Sequence, residues 1–197
     1  MNIEISISRL VADATIRTCG FNDYKFLLMR FASSKDISKD ILFQKRFTYF
    51  YRLRRSHNWL DKYYQTFEQT RYRKDITFEE IISTIAEFSE NRIEISFASK
   101  MLSTINPDLP IWDKYIRDNL DLPQIPPTNT PDRFEQAVRA YDALVEKMNY
   151  LLSTEKVQKE LSEFDRLFPA YSDFAPMKKL DYLIWGLNRV ETPEIKP

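Results

Sequence analysis

Carboxylates and lysines are the side chains left to do chemistry in this chain, because 197 residues hold one histidine and one cysteine. His57 and Cys19 alone build neither a zinc site nor an iron–sulfur cluster, and Cys19 has no partner for an intrachain disulfide. A Ser/His/Asp arrangement would have to use His57, which lies in a strongly basic stretch. No cofactor or metal is expected. Glycine is as scarce, since Gly20 and Gly186 are the only two. Loops that cradle phosphates need several glycines so that the backbone can approach the ligand and take positive φ. P-loop, dinucleotide-binding and kinase-type loops are therefore excluded. Two groups stand out among what remains, Lys100 and Asp113, both inside residues 94–116.

Helices must position them. Residues 94–105 carry Phe97, Met101, Leu102 and Ile105 as an apolar stripe at helical spacing. Asn106-Pro107-Asp108 makes a turn, and Pro110-Ile111-Trp112 then delivers Asp113 to the start of a second helix. A carboxylate in a first helical turn is favoured by the macrodipole and accepts from free N–H groups. Asp113 thus reads either as a cap or as a catalytic or ligand-binding group. Lys100 lies one turn beyond Ser96 on the same face, within reach of the same pocket. Ser99 and Lys100 equally read as the solvated edge of an amphipathic helix, and Trp112 reads as core.

The periodicity is helical almost throughout, and the expected fold class is all-α. Helices are predicted over about 8–20, with Gly20 as a left-handed cap, and over 23–32. A long one follows, capped by Ser38, and another opens at Asn58. Thr77 and Glu80 have the spacing of a capping box ahead of Phe78, Ile81, Ile82, Ile85 and Phe88. Residues 122–131 (L-P-Q-I-P-P-T-N-T-P) read as loop, with Thr130 and Pro131 opening a long helix beyond it. Two more helices are expected at 155–168 and 177–188. A short strand at 3–7 is the one β candidate, and the tail 191–197 is expected to be disordered. The organisation expected is one all-α unit over 1–190, or two helical subdomains with 77–152 as the core that holds the paired helices.

The layout of 94–116 resembles the core of the helix-hairpin-helix DNA glycosylase superfamily, whose endonuclease III-like members carry a P-[IV]-x-D segment after the hairpin's second helix. The resemblance implies a glycosylase-like helical bundle: a mostly six-helix barrel-like domain, completed by a second helical part from both chain ends. It aligns Ala98 with the small residue on the second hairpin helix and Pro110-Ile111-Trp112-Asp113 with the segment ending in the catalytic aspartate. Ser96 then falls at the family's lysine position. Two departures bear on the chemistry. The turn at 89–93, S-E-N-R-I, lacks the glycines that present N–H groups to a phosphate, and Glu90 would repel one. Ser96 removes the Schiff-base amine, so the resemblance implies monofunctional hydrolysis through Asp113, unless Lys100 takes the nucleophile's role.

Residues 44–74 hold nine Lys/Arg against two acids, leaving twenty basic and twenty-seven acidic residues elsewhere, so a neutral chain is polarised +7 against −7. Nine aromatics are interleaved with those cations, of 28 in the whole chain. The pattern suits a phosphate backbone with unstacked bases, and Arg52, Arg54, Arg55, Arg71, Arg73 and Ser96 are the candidate nucleic-acid contacts. It equally suits aromatics turned inward with a basic face against the acidic remainder. No membrane partner is expected, since no apolar stretch approaches the ~20 residues that span a bilayer. The N-terminus lacks a signal peptide's basic head and apolar run, so a cytoplasmic location is expected. Two functional readings stand. One is a DNA-binding protein with a glycosylase-like fold, acting through Asp113 and Lys100. The other is a non-enzymatic helical module that binds a protein or nucleic-acid partner.

Overall fold

The computed structural model describes residues 5–8, 20–123, 125 and 132–187. Among them regular structure is helical: α1 (Phe21–Ser33), α2 (Ile41–Phe50), α3 (His57–Thr70), α4 (Phe78–Glu87), α5 (Ile95–Ile105), α6 (Lys114–Leu120), α7 (Arg133–Ser153), α8 (Glu155–Leu167) and α9 (Pro176–Gly186), with a 3-10 turn at Pro169–Tyr171 before α9. The expected all-α class holds, and no strand occurs among the described residues. Of the candidate strand at 3–7, Ile5 and Ile7 are buried, and the Ile7 N–H donates to Glu160 of α8 instead of to a ladder. Most of the helix expected over 8–20, most of the proline-dense loop, the Thr130–Pro131 start and the tail 191–197 lie outside the described residues.

Local chemistry sets most boundaries. The Thr77–Glu80 capping box forms in both directions and starts α4. Thr154 closes α7 and, by accepting from the Val157 N–H, opens α8, so one residue makes the corner. Pro176 supplies the first residue of α9, where its missing N–H costs no hydrogen bond.

Three boundaries differ from expectation. The N-cap of α2 is Asp40, not Ser38: its carboxylate accepts from Phe43 N–H at 3.0 Å and is held by the Arg30 guanidinium at 2.6 Å. Ser38 is occupied by Asp36. α3 is capped by Ser56, whose hydroxyl accepts from the Trp59 N–H, two residues ahead of the expected Asn58. Gly20 is right-handed helical and leads into α1, with its carbonyl accepting from the Tyr182 hydroxyl at 2.9 Å.

Buried residues from all of these helices form one core. It is largely aromatic. Phe21 is ringed by Phe164, Phe168, Phe174 and Tyr182, which joins α1 to α8 and α9. Phe43, Phe47, Tyr63, Tyr64 and Phe67 interlock α2 with α3 at centroid distances of 5.4–6.3 Å. The sequence's aromatic interleaving is thus mainly core packing, with Tyr49 and Tyr72 left exposed. α4 and α5 pack side by side, Phe97 buried and Phe88 partly so.

Candidate functional site

One cleft of about 1020 Å³ opens where the end of α2, the start of α5, the α5–α6 connection and α9 converge. Lys100, Asp113 and Ser96 all line it, as do Arg52 and Arg54.

The α5–α6 connection is stapled in place. Trp112 donates its N–H to Ser99 Oγ at 2.9 Å, and the Tyr141 hydroxyl of α7 donates to the Pro110 carbonyl at 2.9 Å. Ile111 and Trp112 are buried between those two bonds, so the next residue, Asp113, has little freedom. Its carboxylate oxygen Oδ1 accepts from the Tyr115 N–H at 2.7 Å, which makes it the N-cap of α6. The cap and the cleft position coexist: Asp113 is half-buried and faces the cavity. Burial, and then the neighbouring charge of Asp181, push its carboxyl above the usual carboxylate range, against the pull of the Tyr115 N–H and Lys100.

Lys100 and Ser99 are not the solvated edge of α5. Ser99 is fully buried and Lys100 nearly so. The Lys100 ammonium donates to the Tyr51 carbonyl at 3.1 Å and sits 5.5 Å from the Phe97 ring centre, with no carboxylate in ion-pair contact among the described residues. Burial is the main reason its amine is pushed down to about 8, opposed by Asp113 and assisted by the cation of Lys178.

The remaining arginines divide. Arg55 pairs with Glu94 at 2.5 Å and stacks 4.8 Å over Phe97, which pins the start of α5, and is not itself part of the cleft lining. Arg71 is buried, bonded to the Phe31 carbonyl and paired with Glu68, so it cannot belong to an outward nucleic-acid face. Arg73 is exposed but pairs with Asp75 and Glu80, away from the cleft lining. Only Arg52, Arg54 and Ser96 of the six candidate contacts border the cavity.

The cleft also holds a pair that the sequence reading missed. Lys178 and Asp181 of α9 form a buried ion pair, and the Lys178 ammonium lies 4.6 Å from the Tyr182 ring centre and 4.9 Å from that of Tyr24. The signal was present: a Lys and an Asp three positions apart on a helix otherwise rich in Met, Leu and Ile. No family model, curated protein or solved structure matches this chain.

Among the described residues no cluster of His, Cys, Asp and Glu could hold a metal ion. No helix among them is long and apolar enough to cross a membrane. The cleft offers a buried amine with a depressed pKa, a carboxyl beside it, and aromatic walls. That set suits attack by a neutral amine on an electrophilic carbon, with the carboxylate stabilising developing positive charge.

Proposed function

We propose that this protein binds DNA and uses the cleft for base excision on an extruded nucleotide, with Lys100 as the amine nucleophile and Asp113 as the carboxylate. The observation that carries this reading is the meeting of those two groups in one open cavity of about 1020 Å³, ample for a flipped base. Lys100 reaches the cavity from one turn beyond Ser96, so it supplies an amine to the same space.

In this reading the neutral amine attacks C1′ of the sugar, and the glycosidic electron pair leaves with the base, which takes up a proton. The nitrogen then loses one proton, its lone pair expels O4′ as the C1′–O4′ bond breaks, and O4′ takes up a proton, which leaves the opened sugar joined to the lysine as a protonated imine. Asp113 opposes the positive charge that builds at C1′ as the base departs. A lysine at about 8 is neutral in about a tenth of molecules at pH 7, several hundredfold more than one at 10.5.

Borohydride reduction in the presence of an oligonucleotide carrying an abasic site tests the assignment. We expect a covalent protein–DNA adduct, lost in Lys100→Ala, and, on an oligonucleotide that still carries its base, base release strongly slowed in Asp113→Asn, with DNA binding kept in both variants. An adduct that persists in Lys100→Ala would remove the lysine from its role. The absence of both adduct and base release in the wild type would leave a non-enzymatic module, with Asp113 as a helix cap.

A further inference from the structure

The turn between α4 and α5 spends the N–H groups of Ser89, Asn91 and Arg92 on its own carbonyls. Ser89 and Asn91 N–H both donate to the Ala86 carbonyl at 3.1 Å, and Arg92 N–H donates to Ser89 carbonyl at 2.9 Å. Glu90 and Asn91 take φ of 54° and 58°, closing the turn on itself without glycine. The Glu90 side chain projects into solvent, 81% exposed, and presents a negative charge, partly offset by its pair with Arg92. A duplex backbone finds no grip there.

The wall of the cleft is different in character. Tyr49 is 77% exposed and Tyr115 is 37% exposed, and the latter meets Trp185 edge-on at 4.8 Å. Open aromatic faces stack on unpaired bases, whereas a duplex hides its base faces inside the helix. Arg52 and Arg54 stand beside Tyr49, and neither forms an ion pair among the described residues. The acids of the lining are otherwise engaged: Asp181 by Lys178, Asp23 by Arg46 at 3.0 Å, and Asp113 by its helix N-terminus.

Arg52 adds a second kind of observation. It follows the C-cap of α2 with φ of 53°, and the flanking bonds, Leu53 N–H to Thr48 carbonyl at 2.9 Å and Arg52 N–H to Tyr49 carbonyl at 3.2 Å, are those of a Schellman motif. Glycine is favoured at that position because any Cβ is strained there. A strained residue that keeps a free guanidinium at the rim of a cleft points to a ligand for it.

We infer that the cleft takes single-stranded DNA in preference to duplex, with Tyr49 stacking on a base and Arg52 and Arg54 contacting the flanking phosphates. This deepens the base-excision reading and rests on it for the choice of DNA.

The test is titration of the purified protein, at low salt, against a fluorescent single-stranded 12-mer and the same sequence as a duplex. We expect the single strand to bind roughly tenfold tighter or more, as stacking on unpaired bases implies. Tyr49→Ala should weaken single-strand binding about fivefold or more and leave the melting temperature unchanged. Arg52→Gly should weaken it while raising the melting temperature, a pair of opposite signs that a merely structural arginine would not give. Equal or tighter binding of the duplex would overturn the inference, as would failure of the single strand to bind. Duplex binding accompanied by a borohydride adduct leaves the excision reading standing without this one. Single-strand binding with no adduct does the reverse.

Discussion

Lys100 is the residue on which burial and function make opposite demands. Its amine falls from 10.5 in the unfolded chain to about 8 in the fold, mainly because burial penalises the charged form. Between those two values the unfolded chain holds more protons than the folded one, so stability rises with pH through that window. Below pH 8 the full penalty stands, about 3 kcal/mol by linkage. Lys100→Met keeps the length and the contact with the Phe97 ring while removing the charge. We expect it to be more stable than the wild type by about 1–3 kcal/mol at pH 7 in urea titration. The gain should shrink above pH 8 and vanish near pH 10.5. Equal stability at both pH values would mean that the ammonium is solvated, contrary to its burial. Helical spacing left Lys100 open between the pocket beside Ser96 and a solvated edge, because a 3.6-residue period reports one apolar face and not what long-range contacts cover the other. The turn after α2 covers it here, through the Tyr51 carbonyl. That contact spans 49 residues of sequence.

At the scale of elements, the α5–α6 connection decides where Asp113 points. Ser99 Oγ is the acceptor for the buried Trp112 N–H, and it donates in turn to the Ser96 carbonyl at 3.1 Å. Ser99→Ala leaves that N–H without a partner, which should cost about 1–3 kcal/mol in denaturant unfolding. Excision should fall more than binding, because the carboxylate shifts while Arg52 and Arg54 stay. A Ser99→Ala variant with unchanged stability and activity would show that the staple is not what places Asp113. Phe97→Ala should cost about 3–5 kcal/mol, since the ring lies between Trp59, Arg55 and Lys100. Much of this scale was legible in the sequence. The Thr77–Glu80 box, the Asn106-Pro107-Asp108 turn and Asp113 as the start of α6 all follow from capping and proline chemistry that acts within four residues. What was not legible is α9's part in the cleft, because nothing local to Lys178 and Asp181 says which distant helices they face.

At the scale of the molecule, four of the basic segment's nine cations are engaged in ion pairs among the described residues, and the other five are left to face outward partners. The basic segment's Arg46, Arg55, Arg71 and Arg73 are each paired with a carboxylate, three of them from outside that segment's own acids. Arg54→Glu and Arg55→Glu should therefore behave differently. The first removes a cation with no ion-pair partner among the described residues, and should lower DNA retention at an unchanged melting temperature. The second turns the Glu94 pair into a repulsion and strips a cation from Phe97, so it should lower the melting temperature as well. The same distribution bounds the salt dependence. If Arg52 and Arg54 supply the phosphate contacts, two released counterions give a slope of about −1.4 for log K against log salt on single-stranded DNA. Binding measured between low and moderate salt should give that shallow slope, and Arg54→Glu should roughly halve it. A slope steeper than about −4 would require more phosphate contacts than the cleft rim holds. The contact surface would then extend over the outer lysines, Lys45, Lys62 and Lys74, and the cleft would be a side feature of a broader basic face.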